Sequence, residues 1–118
     1  SPSDEDATAR AVEASIVIDD NADLRPALTR DLAQLWLEGG RPWLSLHYFE
    51  QHARLGGTAD DVFESLMQAG QLLHQLHRPS GEVLDAFQRA RDVSSTPGQA
   101  QRVDDAVHRM QTNVGSTP

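Results

Sequence analysis

Apolar residues recur at three- and four-residue spacing through most of this chain, and glycine pairs and prolines cut that pattern into helix-length segments. A stripe with that period can be buried only along one side of a helix, so the pattern commits the chain to helices packed on one another. No stretch alternates apolar and polar residues over the length of a strand, and a sheet is not expected.

Six helices follow from the punctuation. A first spans about 4–18, with Ser3 as cap, Ala9, Val12 and Ile16 on one face, and Asp19, Asp20 and Asn21 as the break. A second spans about 24–38. It has Pro26 in its first turn, Leu28, Leu32, Leu35 and Trp36 at helical spacing, and Gly39-Gly40 at its end. Proline is tolerated at the start of a helix because its missing N–H has no partner there, and glycine ends one by adopting a left-handed conformation. A third runs from Pro42 to Leu55 on Trp43, Leu46, Phe49 and Ala53, and stops at Gly56-Gly57. Thr58 caps a fourth, which carries Val62, Phe63, Leu66, Ala69, Gly70, Leu73 and Leu76 and ends before Pro79. A fifth opens at Ser80 with Val83, Leu84, Phe87 and Ala90, and is closed by Val93 and the run 94–98. A sixth covers about 99–111 with a thin stripe of Ala100, Val103, Ala106, Val107 and Met110. Trp36, Trp43, Phe49, Phe63 and Phe87 are expected mostly in the core, with half-exposure the alternative for Trp43 at the start of its helix, and Tyr48 on the surface. Residues 1–5 and 113–118 lack periodic apolar residues and are expected to be disordered ends around one domain, 6–112.

With 118 residues the chain makes one domain with a core that needs no staples. It has no cysteine, which removes disulfides, thiolate metal sites and a cysteine nucleophile. Its formal net charge is −8 and every one of its ten basic residues is arginine, so phosphate backbones and anionic membrane surfaces are repelled. Nucleic acid is not expected as a partner. No apolar run approaches the roughly 18 residues of a membrane span, so membrane insertion is not expected either. The chain opens on Ser1 rather than methionine and is read as a piece of a longer or processed protein.

Residues that could carry chemistry have plainer readings. His74 and His77 stand three apart and His47 and His52 five apart, but structural metal sites want four ligands, and these are read as ordinary polar helix positions. Asp60-Asp61 follow the cap Thr58, where acidic residues meet the positive end of the helix dipole. The pair Asp104-Asp105 is likewise not read as catalytic. Ser80-Gly81 starts a helix without a preceding strand and is no nucleophile elbow. Gly39-Gly40 and Gly56-Gly57 lack the spacing and the lysine of a phosphate loop. No catalytic residue, metal site or cofactor is expected.

Two helix pairs repeat, 24–55 and 59–93, with the small residues Ala33 and Gly70 at matching places, 37 residues apart from 33 to 70. Leu32-Ala33, Trp36, Gly40, Ser45 and Phe49, and then Gly70, Leu73, Phe87 and Ala90, resemble the tetratricopeptide pattern, whose period is about 34. Val83 departs from that pattern at a small position, Pro97 arrives late, and one extra residue sits in the turn from Leu76 to Ser80. Ala53-Arg54-Leu55-Gly56-Gly57 with Asp60-Asp61-Val62-Phe63, and Arg78-Pro79 through Phe87 and Arg89-Ala90, are similar to repeats found C-terminal to bacterial family-2-type glycosyltransferase domains.

The resemblance implies an all-α solenoid of stacked antiparallel helix pairs, acting as a cytoplasmic bacterial scaffold that binds a protein or peptide. The first helix of each pair would line the groove, which maps to Arg30, Gln34, Leu37, Met67, Gln71 and His74. The acidic surface favours basic partners. Two alternatives stand beside this reading: a free-standing chaperone-like adaptor for a secreted partner, and a short groove already filled by the first or sixth helix.

Overall fold

A computed structural model of the chain describes the backbone of residues 2–18 and 25–116 and the side chains of 5–13 and 25–111. The described residues form six helices and no strand: α1 (Pro2–Ile18), α2 (Arg25–Glu38), α3 (Pro42–Leu55), α4 (Ala59–Gln75), α5 (Ser80–Asp92) and α6 (Pro97–Ser116). The expected break at Asp19, Asp20 and Asn21 and the side chain of Ile16 lie outside the described residues. Ser3 falls inside α1 rather than at its cap, and the helical backbone runs into both stretches that lack an apolar stripe.

Each helix packs chiefly on the next in the chain, so α2 with α3 and α4 with α5 form adjacent pairs in an all-helical stack. Contacts within a pair join residues at comparable distances on either side of the connecting turn, as antiparallel packing requires. Ser45 Oγ donates to the Ala33 carbonyl at 2.8 Å across α2–α3, and Gly70 meets Phe87 across α4–α5. Side-chain bonds tie every second helix. Arg30 of α2 reaches Asp61 of α4 at 2.7 Å, Arg102 of α6 grips Glu64 of α4 with both terminal guanidinium nitrogens, and Tyr48 of α3 donates to Glu13 of α1. The helices therefore zigzag between two layers, with α1, α3 and α5 in one and α2, α4 and α6 in the other.

The repeat is written into the turns. α2 ends with Arg41 N–H bonded to the Trp36 carbonyl and Gly40 N–H to that of Leu37; Gly40 has φ +75°. α4 ends the same way, with Arg78 N–H on Leu73 and His77 N–H on His74. This is the Schellman arrangement, which saturates carbonyls that the helix end would leave bare. His77 takes the glycine's place at φ +58°, a conformation that strains an L side chain. It stands outside α4, so His74 and His77 do not share a helix face as their spacing suggested.

The fourth helix is capped as expected, with Asp61 N–H donating to Thr58 Oγ1 at 3.1 Å. The sixth starts earlier than its apolar stripe indicates. Thr96 Oγ1 accepts from Gln99 N–H at 3.1 Å and Pro97 occupies the first helical position, so the run read as a closing loop is a helix start.

The core comprises Leu32, Ala33 and Trp36, then Phe49, Phe63, Leu72, Val83 and Phe87, with Val103 and Met110 from α6. A second buried face on α3 is polar: Ser45, Tyr48 and His52 recur at helical spacing and all are buried. Each finds a partner on a different element, in the Ala33 carbonyl, Glu13 and Ser65 respectively. A buried polar group with a partner avoids the desolvation cost that an unpaired one carries. Tyr48 is thus a core residue with its hydroxyl directed to α1, not the surface aromatic expected from its place beside Phe49. Burial and the hydrogen bond to Glu13 hold its phenol well above the ordinary tyrosine range.

Candidate binding groove

The strip expected on the first helices is divided in the structure. Arg30 is half exposed and committed to Asp61, and Gln34 donates to Glu38 one turn on at 3.3 Å. Leu37 packs partly buried against the core. Met67 is only 3% exposed and cannot present a binding surface. The reason lies in α4, which is flanked by α3 and α5 and tied to α2 and α6; its buried residues run from Phe63 to Leu73 around most of its circumference. Gln71 and His74 do remain accessible, in a hollow of about 330 Å³ walled by Phe87, Ala106, Arg109 and Met110. They face the sixth helix there, close to the arrangement in which a flanking helix occupies the strip.

A larger concavity lies elsewhere. A groove of about 720 Å³ opens between α3 and α5, with α4 as its floor. Val62, Leu66, Ala69 and Leu73 form that floor. Trp43, Leu46, Glu50, Ala53 and Arg54 make the α3 wall, and Glu82, Asp85, Ala86 and Arg89 the α5 wall. Concave, mostly apolar surface with a few placed polar groups is the usual form of a binding site.

Trp43 stands at one end and is 55% exposed, the most exposed large apolar side chain among the described residues. Arg78 lies over its ring, with the guanidinium carbon 5.9 Å from the centroid. The same guanidinium binds Glu82 through two bonds, Nε to Oε2 at 2.9 Å and Nη2 to Oε1 at 2.8 Å. These bonds push Arg78 up and hold the Glu82 carboxyl below its ordinary value. Trp43 is therefore presented on a fixed cationic and acidic support. Across the groove, Arg89 pairs with Asp85 at 3.1 Å.

Behind the α3–α4 contact lies a buried pair. His52 Nδ1 and Ser65 Oγ are 2.6 Å apart, and His52 is 1% exposed. Burial chiefly, and the Arg30 cation next, lower the imidazole's pKa, while Asp61 opposes them. A serine bonded to a histidine invites comparison with a hydrolase, but Ser65 is fully buried and offers no approach to a substrate. The pair fixes α3 to α4 and so sets the angle between the groove's wall and its floor. The reading of His52 as an ordinary polar position missed this, since an imidazole at helical spacing carries no signal of burial.

Among the described residues no three His, Cys, Asp or Glu side chains converge as metal ligands, and no helix is long and apolar enough to cross a membrane. Comparison with protein-family models, curated proteins and solved structures found no match to this chain.

Proposed function

We propose that the chain is a helical-repeat binding module of tetratricopeptide type, which acts by holding a protein or peptide partner rather than by catalysis. The observation that carries this reading is the α3–α5 groove, with the exposed Trp43 at its end and an apolar floor along α4. A large aromatic left half in water costs free energy that a partner's contact recovers, and tryptophan is the side chain most often found at the energetic centre of interfaces. The repeated turn chemistry at Gly40 and His77 supports the repeat reading. The runs at 53–63 and 78–90 support the narrower view that the module is an appendage of a bacterial glycosyltransferase.

The test is selection of peptides on the immobilised chain from two displayed libraries, one helix-forming and one interrupted by proline. Enrichment of binders that lose affinity for the W43A variant is the expected result. Failure to enrich from either library would overturn the module reading.

A further inference from the structure

We propose that the groove takes a single amphipathic α-helix, with basic residues of that helix set beside Glu50 and Asp85 and acidic residues beside Arg54 and Arg89. This rests on the reading of the chain as a binding module and goes further by fixing the partner's form and its order of charges.

The form follows from spacing. On the floor the row is 62, 66, 69 and 73; on the α3 wall it is 43, 46, 50 and 53; on the α5 wall it is 82, 86, 89 and 93. Each row advances by alternate steps of three and four, the spacing of a helix seam that accepts knobs from another helix. A strand repeats every two residues and cannot stay in step with such rows. The floor row spans twelve residues, or about 16 Å at the rise of an α-helix, which matches three turns of a guest.

The groove also has a place for a large side chain. Ala69 and Ala86 both line it, each one residue before the contact of Gly70 with Phe87. Two small, largely covered side chains therefore border the groove at one level, where leucine-sized residues would fill it.

Charge sets the direction. Antiparallel packing places Arg54 and Arg89 toward the amino-terminal end of α4, with Glu50 and Asp85 further along. Both walls run basic and then acidic. On the α5 wall Arg89 and Asp85 also pair with each other at 3.1 Å, yet both stay more than half exposed and open to a guest's charges, and at the far end Arg78 neutralises Glu82. A guest helix with acidic residues at one end and basic residues in its middle matches both walls at once. One of reversed order meets like charge on each side, which is penalised.

The experiment uses three synthetic peptides of about 18 residues, long enough to cover three turns. The first is held helical by an i,i+4 cross-link, apolar on one face and charged in the matching order. The second exchanges its acidic and basic residues. The third keeps the first peptide's composition but contains two prolines. Fluorescence anisotropy is read against the parent chain and against W43A and A53E, whose folding is checked by thermal melting. The matching helix should bind saturably and the reversed one about five-fold or more weaker at low salt, with the gap narrowing as salt screens the charges. Both variants should weaken the matching helix about ten-fold, as expected for an interface anchor.

Binding of the proline peptide in preference to the helix would overturn the proposal and leave the module reading standing. So would helix binding that neither variant affects. A chain that sediments as a dimer, dissociates on W43A and excludes the peptides would show that the groove holds a second copy. No binding by any peptide also overturns the proposal, while the library selection decides the module reading separately.

Discussion

Gly70 and Phe87 meet across α4 and α5 so closely that a Cβ placed on Gly70 would lie 2.6 Å from the phenylalanine ring. The matching place in the first pair holds Ala33, whose carbonyl receives the Ser45 hydroxyl. The two pairs thus solve the same crossing differently. Where the second helix offers serine, the first helix affords a methyl group; where it offers Val83 and a close Phe87, only glycine fits. Gly70→Ala should therefore destabilise the chain by about 1–3 kcal/mol, the range for overpacking a filled site. Denaturant melts of G70A, F87L and the double variant should show part of the loss restored when both changes are combined, because neighbouring changes couple.

His77 predicts the opposite sign. It holds a left-handed backbone, φ +58°, in a turn that its counterpart Gly40 makes at φ +75°. His77→Gly should raise stability by about 1 kcal/mol through relief of that strain, less the entropy that glycine adds to the unfolded chain. Gly40→Ala should lower it. Thermal melting of both variants checks the pair of signs together.

His52 makes stability depend on pH. The groups facing its ring are Arg30 from α2 and Asp61 and Ser65 from α4. Its pKa in the folded chain lies below the ordinary 6.5, so below pH 6.5 the unfolded chain binds more of this proton. The stability contributed by the neutral ring is present above that pH and is lost as pH falls from 6.5 toward the folded value. His52→Asn keeps a side chain able to bond Ser65 but removes the titration. Melting temperatures measured from pH 7.5 to 5.0 should fall more steeply for the parent than for H52N.

Much of the fold was legible in the sequence because its punctuation is local chemistry. Pro42, Gly56 and the bond from Asp61 to Thr58 mark helix ends without reference to anything distant. The candidate site was not legible to the same degree, for two physical reasons. In α4 the apolar residues cover most of the circumference, so periodicity could not say that Met67 faces inward. In α3 a buried face is built of Ser45, Tyr48 and His52, whose burial depends on partners in three other elements. A reading based on apolar stripes assigns such residues to solvent. The groove could have been sensed from Trp43, whose place at the start of its helix left half-exposure open beside the core reading and which is in fact 55% exposed, and from the small residues Ala53 and Ala69 at seam positions.

The central claim is that binding occurs between α3 and α5 rather than on the α4–α6 side. The chain has two tryptophans, and only one of them borders the groove: Trp43 is exposed there and Trp36 is buried between helices. The most direct measurement is a proton–nitrogen NMR titration with the matching helical peptide, following both indole N–H signals. The account predicts that the Trp43 indole and the amides of Ala53 and Ala69 shift together, while the Trp36 indole and the amides of Gln71 and His74 stay in place. A still Trp43 indole with movement at Gln71, His74 and Met110 would place the binding surface against the sixth helix and contradict the account.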